Sequence, residues 1–211
     1  MKICAGIVLA TLVAGVSPSS AGEAKAEPGP ATIRGACDVA FLITSTLHDV
    51  PGSARCLPFE AVLARDSAGR QVISTVEVDV PVTGMDTRNT TRDGKMREMF
   101  LSERFPRIHA AARDVDVERL RLELGEGREG KAPLDLHLRI RDVERKIRAT
   151  ASNLQETGDR ITFDLEFHVS LGEFDLKAPS VLGIIRVGDK VSVKTTSTLT
   201  VSRSPSGASQ P

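Results

Sequence analysis

The chain has 211 residues, enough for one domain of ordinary size, and its 28 basic and 28 acidic residues give a formal net charge of zero. A balanced charge argues against a nucleic-acid binder that relies on bulk positive charge. A hydrophobic content of 40% argues against an acidic disordered chain. The sequence contains seven Phe and no Trp or Tyr, so it has little material for stacking sugars or bases. Any large interior must be lined mainly by Val, Leu and Ile.

Residues 1–21 have the layout of a secretory signal peptide. A positive start at Lys2 is followed by an apolar run over residues 3–16 and by small residues that end at Ala21. The apolar run is shorter than the roughly 20 residues that a membrane-spanning helix needs. We therefore expect cleavage after Ala21, no membrane span in the mature chain, and a periplasmic or secreted protein. An uncleaved anchor is the alternative.

The composition of the flanking segments predicts the domain boundaries. Residues 22–35 begin with a stretch rich in Ala, Glu, Pro and Gly and are expected to form a flexible leader. Residues 203–211 contain few apolar side chains and are expected to form a disordered tail. Residues 36–202 are then the folded domain.

Export changes the meaning of the three cysteines. Cys4 leaves with the signal peptide, whereas Cys37 and Cys56 remain as an even pair in an oxidising compartment. We predict a disulfide bond between them, which contributes about 3 kcal/mol to stability. A redox-active or metal-binding pair is the alternative, but the Cys-x-x-Cys spacing and the clustered His residues of such sites are missing.

Alternation of apolar and polar residues is the main structural signal in the folded domain. Apolar residues recur at every second position, with few exceptions, in residues 72–82, 119–124, 134–140, 161–171 and 191–201. Weaker strand candidates are residues 39–48, 57–65, 108–114 and 146–152. The sequence therefore predicts eight or nine antiparallel strands, each with one apolar face.

One segment departs from this pattern. Met96, Met99 and Phe100 lie at helical spacing, and Pro106 limits the extent of the segment, so residues 95–104 are predicted to form a short helix. Amphipathic strands with one short helix are typical of an all-β, antiparallel, lipocalin-like β-barrel of about eight strands. Periodicity does not separate this barrel from a β-sandwich, and it does not show whether the interior is hollow.

A longer motif follows the strand at residues 76–83. An Arg-Asp pair, Arg92 and Asp93, precedes Phe100 and then a Phe-Pro pair at residues 105–106. A strand followed by this string resembles the YceI-like family of exported lipid-binding barrels. We expect Arg92 and Asp93 to anchor the start of the helix through hydrogen bonds, because no second carboxylate or His is adjacent for acid–base chemistry.

Two further stretches carry the same resemblance. Residues 138–147 match the family's strand, turn and strand, and residues 163–201 include a Val-Gly-Asp-Lys-Val hairpin. The resemblance covers roughly residues 37–201. It implies an extended β-barrel that holds a long amphipathic lipid, with polyisoprenoids as the ligand class.

An aliphatic lumen would bury such a chain with a gain of roughly 25 cal/mol per Å². The candidate ligand-binding residues are Val78, Val80, Phe105, Leu136, Leu138, Phe163, Phe167, Val193, Thr195 and Leu199. Thr195 and Ser197 share the apolar parity of the last strand, so either they bind a ligand head group or the strand nears the rim there. The alternative for the apolar set is a solid core, because packed interiors are the norm.

The remaining motifs indicate no other chemistry. Residues 125–130 spell G-x-G-x-x-G, but a strand follows instead of a helix, so we expect a hairpin loop. His48, His109, His137 and His168 lack metal-ligand spacing, and Gly-x-Ser-x-Gly does not occur. We expect an exported, non-enzymatic binding protein without cofactor or metal. A filled structural or interaction module is the alternative, and dimerisation is left open.

Overall fold

The computed structural model describes residues 31–45, 49–125, 130–177 and 187–203. The strands are β1 (Ala31–Ser45), β2 (Val50–Arg55), β3 (Phe59–Arg65), β4 (Gln71–Pro81), β5 (Arg107–Asp116), β6 (Lys131–Ile140), β7 (Val143–Thr157), β8 (Arg160–Ser170) and β9 (Val187–Arg203). Helix α1 (Thr90–Phe100) precedes β5, and helix α2 (Val117–Leu124) follows it. The expected signal peptide at residues 1–21 lies outside the described residues.

Eight of the strands close into an antiparallel barrel. Their order is β1-β3-β4-β5-β6-β7-β8-β9, and β9 pairs back onto β1 along nearly its whole length. The extra strand β2 pairs with residues 38–43 of β1, whereas residues 31–35 of β1 pair with β3. The predicted lipocalin-like fold class is therefore confirmed, and the β-sandwich is excluded.

The period-two pattern of each strand sorts its side chains between the lumen and solvent. On β6, Leu136, Leu138 and Ile140 are buried, whereas the intervening Arg139 and the nearby Asp135 are exposed. The same alternation in β8 and β9 brings their apolar faces to the same interior. The lumen is thus lined by the residues whose spacing predicted the strands.

Both boundaries of the barrel differ from the expected ones. Ala31, Ile33 and Gly35 are buried in β1, so the sheet begins within residues 22–35, which were expected to be a flexible leader. At the other end, β9 extends to Arg203, the first residue of the expected tail. The short alternation of Ala31, Ile33 and Gly35 follows a stretch of leader-like composition, and the pairing with β9 shows that it belongs to the sheet.

The helix expected at residues 95–104 exists, but it begins and ends earlier. Asn89 caps its start, since its side-chain oxygen accepts a hydrogen bond from the Arg92 amide at 2.9 Å. Leu101 adopts a left-handed conformation with φ of 52° and ends the helix before Pro106 is reached. Asn89 therefore marks the start of the helix, and Leu101 rather than Pro106 marks its end.

Asp93 anchors the start of α1, as the sequence predicted. Its buried carboxylate accepts hydrogen bonds from the Thr87 amide at 3.0 Å and from the Thr87 hydroxyl at 2.6 Å. The carboxylate therefore ties the first turn of α1 to the chain that enters it. Loss of the carboxylate would leave two buried donors without an acceptor.

We predict that Asp93→Ala lowers the free energy of unfolding by about 2–4 kcal/mol, because it leaves both Thr87 donors unsatisfied in the interior. Urea unfolding followed by circular dichroism measures the change. Glu98→Ala, on the exposed face of the same helix, is the control and should change stability by less than about 0.5 kcal/mol. Equal effects of the two substitutions would contradict this role of Asp93.

Residues 119–124, expected to be a strand, instead form most of α2, and that prediction was wrong. Asp116 caps the helix by accepting a hydrogen bond from the Arg119 amide at 2.9 Å. Leu120 and Leu124 are four residues apart, so they fall on one face of a helix as readily as on one face of a strand. Six residues are too few to separate the two periods.

Helix α2 lies where the sheet is least continuous. Strands β5 and β6 pair only between residues 109–111 and 137–139, so their remaining lengths diverge. The helix fills this end of the seam and contacts β4, β6 and β7. Leu120 packs against the interior, whereas Leu122 is 72% exposed.

A buried carboxylate joins three strands on the outer side of the barrel. Asp164 accepts hydrogen bonds from Asn153 Nδ2 and Thr196 Oγ1, each at 2.8 Å, and lies 3.0 Å from Lys194 Nζ. Burial alone would raise the pKa of Asp164, but these three partners outweigh it and hold the pKa below its usual value. The ionised carboxylate therefore stabilises the junction of β7, β8 and β9.

We predict that Asp164 contributes stability above about pH 4, the range in which an unfolded Asp is ionised, and that the contribution disappears as the pH falls through its lowered folded pKa. Asp164→Asn should therefore destabilise the protein at pH 7, and its difference from the wild type should shrink as the pH falls below about 4. Urea midpoints at several pH values measure this. Asp142→Asn, in an exposed turn, is the control. A stability difference between Asp164→Asn and wild type that does not change with pH would contradict this role of Asp164. So would a difference at pH 7 as small as that of the control.

Candidate functional site

The lumen contains a cavity of about 220 Å³ at the end of the barrel that carries α1. We call it the α1 chamber. Side chains of β1, β2, β4, β5, β6, β8, β9 and α1 line it. Seven of the predicted ligand-binding residues lie in its wall: Val78, Val80, Leu136, Leu138, Phe167, Val193 and Thr195. The interior is therefore not a solid core at this level of the barrel.

A second cavity of about 500 Å³ lies at the opposite end, beside α2. We call it the α2 chamber. Phe163 and Leu199, the eighth and ninth predicted residues, line it together with Leu120 and other apolar side chains. Its wall also contains Gln71 and Arg121, so it differs in chemistry from the α1 chamber.

One layer of lumen-facing residues separates the chambers. On β9, for example, Ser197 lies between Thr195 in the α1 chamber and Leu199 in the α2 chamber. The corresponding residues on the other strands that follow this pattern are Gly35, Val76, Ala112 and Leu165. Several of these side chains are small, and Ala112 packs with Leu136 and Ala149 in a small buried cluster at this level. The layer is therefore a partition about one residue thick.

Gly35 in this layer has a specific steric role. A β-carbon at this position would lie 2.2 Å from the ring of Phe59 and 2.8 Å from a methyl group of Leu199. Such distances are far shorter than van der Waals contact, so only glycine allows the Phe59 ring to pack against β1 here. This close approach was not apparent from the sequence, because Phe59 is paired with Gly35 across strands.

Thr195 and Ser197 are both buried inside the barrel. Of the two alternatives for these residues, nearness of the strand to the rim is therefore not supported. Thr195 Oγ1 has no hydrogen-bond partner among the described residues, although the residue lines the α1 chamber. An unsatisfied buried hydroxyl costs about 1–3 kcal/mol, so Thr195 lowers the stability of the empty barrel.

We predict that Thr195→Val raises the free energy of unfolding of the ligand-free protein by about 1 kcal/mol, because it removes the unsatisfied hydroxyl and retains the branched shape. Val193→Thr, the reverse change on the same face of β9, should destabilise the protein by a similar amount. Thermal unfolding of delipidated samples measures both. A loss of stability in Thr195→Val would show that its hydroxyl is satisfied.

Phe105, the tenth predicted residue, lines neither chamber. Its ring lies 5.0 Å from the guanidinium of Arg104 and 6.0 Å from that of Arg141, which is cation–π geometry. Met85, Met96 and other side chains of the α1 region line the α1 chamber but were not among the predicted ligand-binding residues. The helical apolar pattern of α1 was recognised, but nothing local showed that its apolar face points into the barrel.

Cys37 and Cys56 form the predicted disulfide, with their Cα atoms 5.3 Å apart. The Cys56 amide also donates a hydrogen bond to the Cys37 carbonyl at 3.0 Å. Cys37 lines the α1 chamber. The bond therefore fixes the chain that leaves β2 against the wall of this chamber.

Titratable groups on the outer surface do not converge on a metal site. His109 Nδ1 lies 2.9 Å from Asp79 Oδ1, and His137 Nδ1 lies 3.3 Å from Glu144. Within the described ranges, no three His, Cys, Asp or Glu side chains are grouped to hold a metal ion. His48 and residues 126–129 of the glycine motif lie outside the described residues.

The arrangement of strands, helices and lumen defines a class of protein. A closed antiparallel barrel with an apolar lumen is the architecture of a lipocalin-like binding protein. No helix in the described part of the chain is long and apolar enough to cross a bilayer. The YceI-like domain matches residues 38–199, and the chain therefore belongs to the YceI-like family.

Two solved structures share the fold at low sequence identity. A polyisoprenoid binding domain from Saccharophagus degradans has a TM-score of 0.59 at 14% identity, covering 79% of this chain and 97% of its own. BcnA of Burkholderia cenocepacia has a TM-score of 0.55 at 12% identity, covering 77% of this chain and 95% of its own. No curated protein matches the sequence.

Proposed function

We propose that this protein binds the apolar chain of a lipid, and specifically a polyisoprenoid, in its barrel lumen, and that it does so without catalysis. The observation that carries the proposal is the α1 chamber, a cavity of about 220 Å³ lined mainly by apolar side chains of the barrel and of α1. Membership of the YceI-like family and the likeness to a polyisoprenoid binding domain support the same ligand class.

The volume of the lumen is compatible with a long-chain ligand. The α1 chamber is larger than the roughly 150 Å³ of an apolar cavity known to admit benzene. A long isoprenoid exceeds this chamber, and the α2 chamber lies beyond a partition that includes the small residues Gly35, Ala112 and Ser197. We therefore propose that the bound chain displaces the partition and spans both chambers. Removal of its surface from water supplies the affinity.

The composition of the chamber wall favours binding over catalysis. Arg92 is the only side chain described in the wall of the α1 chamber that carries a charge, since Cys37 is in the disulfide. Acid–base chemistry generally needs a second titratable group within hydrogen-bond reach. The α1 chamber can therefore solvate an apolar chain but offers no pair of groups that would transform it.

An exported location fits both the sequence and the proposed ligand. The layout of residues 1–21 is that of a secretory signal peptide, and the Cys37–Cys56 disulfide is typical of an oxidising compartment. We propose that the mature protein is periplasmic or secreted. In such an aqueous compartment a long isoprenoid needs a carrier that shields it from water.

The proposal predicts saturable binding of a long-chain polyprenol to the delipidated protein. Ala110→Phe places a ring in the α1 chamber, where about 220 Å³ is available, and should weaken binding at least tenfold while the protein stays folded. Native mass spectrometry and a fluorescent-prenol titration measure binding and stoichiometry.

Val62→Phe is the matched control, because Val62 is 55% exposed on the outer surface of β3. It adds the same ring without reducing the lumen and should bind prenol like the wild type. Absence of saturable binding to the wild-type protein, or equal binding by Ala110→Phe and the control, would contradict the proposed function.

A further inference from the structure

We infer that the polar end of the ligand lies in the α2 chamber, at a cluster formed by Gln71, Arg121 and Glu156, and that this end is a hydroxyl group rather than an anion. The inference rests on the proposed function and adds to it the orientation of the ligand and the chemistry of its head group. We call the three residues the Arg121 cluster.

The cluster joins three elements at the edge of the α2 chamber. Arg121 of α2 donates a hydrogen bond from Nε to Glu156 Oε1 of β7 at 2.7 Å and one from Nη1 to Gln71 Oε1 of β4 at 3.3 Å. All three residues line the chamber. The side chains of Arg121 and Glu156 remain 40% and 42% exposed, so the cluster lies where the chamber meets solvent.

The hydrogen-bonding capacity of the cluster is only partly used. A guanidinium has five N–H donors, and these contacts occupy two of them; Glu156 keeps a second carboxylate oxygen. A hydroxyl group both donates and accepts, so it can bridge the free N–H groups of Arg121 and the free oxygen of Glu156. A hydrocarbon end offers these groups no partner, whereas a hydroxyl group hydrogen-bonds to them at the edge of the chamber.

The charge of the chamber disfavours an anionic head group. Its charged lining residues within the described chain are Arg121, Glu156 and Asp159, which gives one positive and two negative side chains. Glu156 already neutralises Arg121 at 2.7 Å, so a phosphate or carboxylate would meet a net negative wall. A neutral hydroxyl group avoids this repulsion.

The position of α2 makes this end suitable for ligand entry. The helix covers the part of the seam where β5 and β6 are not paired, and Arg121 connects it to β4 and β7 on either side. An apolar chain that passes this point would lead toward the α1 chamber with its polar end last. The rival head-group positions are Arg92 and the Thr195 hydroxyl in the wall of the α1 chamber.

The test uses three probes with the same prenyl chain: the alcohol, the hydrocarbon and the monophosphate. We expect the wild-type protein to bind the alcohol about fivefold to tenfold more tightly than the hydrocarbon, and the monophosphate most weakly. Glu156→Gln keeps the size of the side chain but leaves Arg121 without its counter-charge. It should raise affinity for the monophosphate by about tenfold relative to the alcohol.

Arg119→Gln is the control, because Arg119 lies on the same helix, pairs with Glu123 and lines neither chamber. Identical probe preferences in Glu156→Gln and this control would overturn the inference. The inference would also be overturned if Arg92→Gln lost the preference for the alcohol while Glu156→Gln kept the probe preferences of the wild type. If the wild-type protein binds none of the probes, the proposed function fails, and the inference fails with it. Binding of all three with equal affinity contradicts the inference alone.

Discussion

The antiparallel pairing of β1 with β9 determines whether this chain has a lumen at all. These strands close the barrel, and Val39, Val193 and other apolar side chains of both face inward because the register aligns them. A slip of one residue would turn every such side chain to solvent and bring Lys194 and its polar neighbours inside. The disulfide from Cys37 reinforces this same part of β1. The same β1–β9 register therefore both closes the barrel and makes its interior apolar.

The two helices give the ends of that lumen different chemistry. At one end, Asp93 fixes the start of α1 so that Met96 and Phe100 complete an apolar wall. At the other end, Arg121 attaches α2 through polar contacts, including one to Glu156, beside the less continuous seam of the sheet. The lumen is thus apolar at one end and partly polar at the other, and the proposed amphipathic ligand, with a long tail and one polar terminus, has the same distribution of polarity.

Short-range periodicity predicted most of the strands but did not separate a barrel from a sandwich, and it missed β2 altogether. Most predicted wall residues, such as Val78 and Leu138, do line the lumen. Periodicity failed at residues 119–124, where strand and helix spacing coincide. Periodicity also does not predict contacts between residues that are far apart in the sequence. Two such contacts are the packing of the Phe59 ring against Gly35 and the hydrogen bond between Arg121 and Glu156. Each joins residues from separate elements, so no local sequence pattern predicts it.

Lipid binding in the lumen depends most directly on an open, apolar interior in the α1 chamber. Crystals of the delipidated protein exposed to xenon under pressure test this, since dry apolar cavities of this size take up the gas. We predict a xenon peak among Val80, Leu138 and Val193, inside the cavity of about 220 Å³. Electron density showing these side chains in mutual contact, with no xenon between them, would mean that the barrel is filled and has no place for a lipid chain.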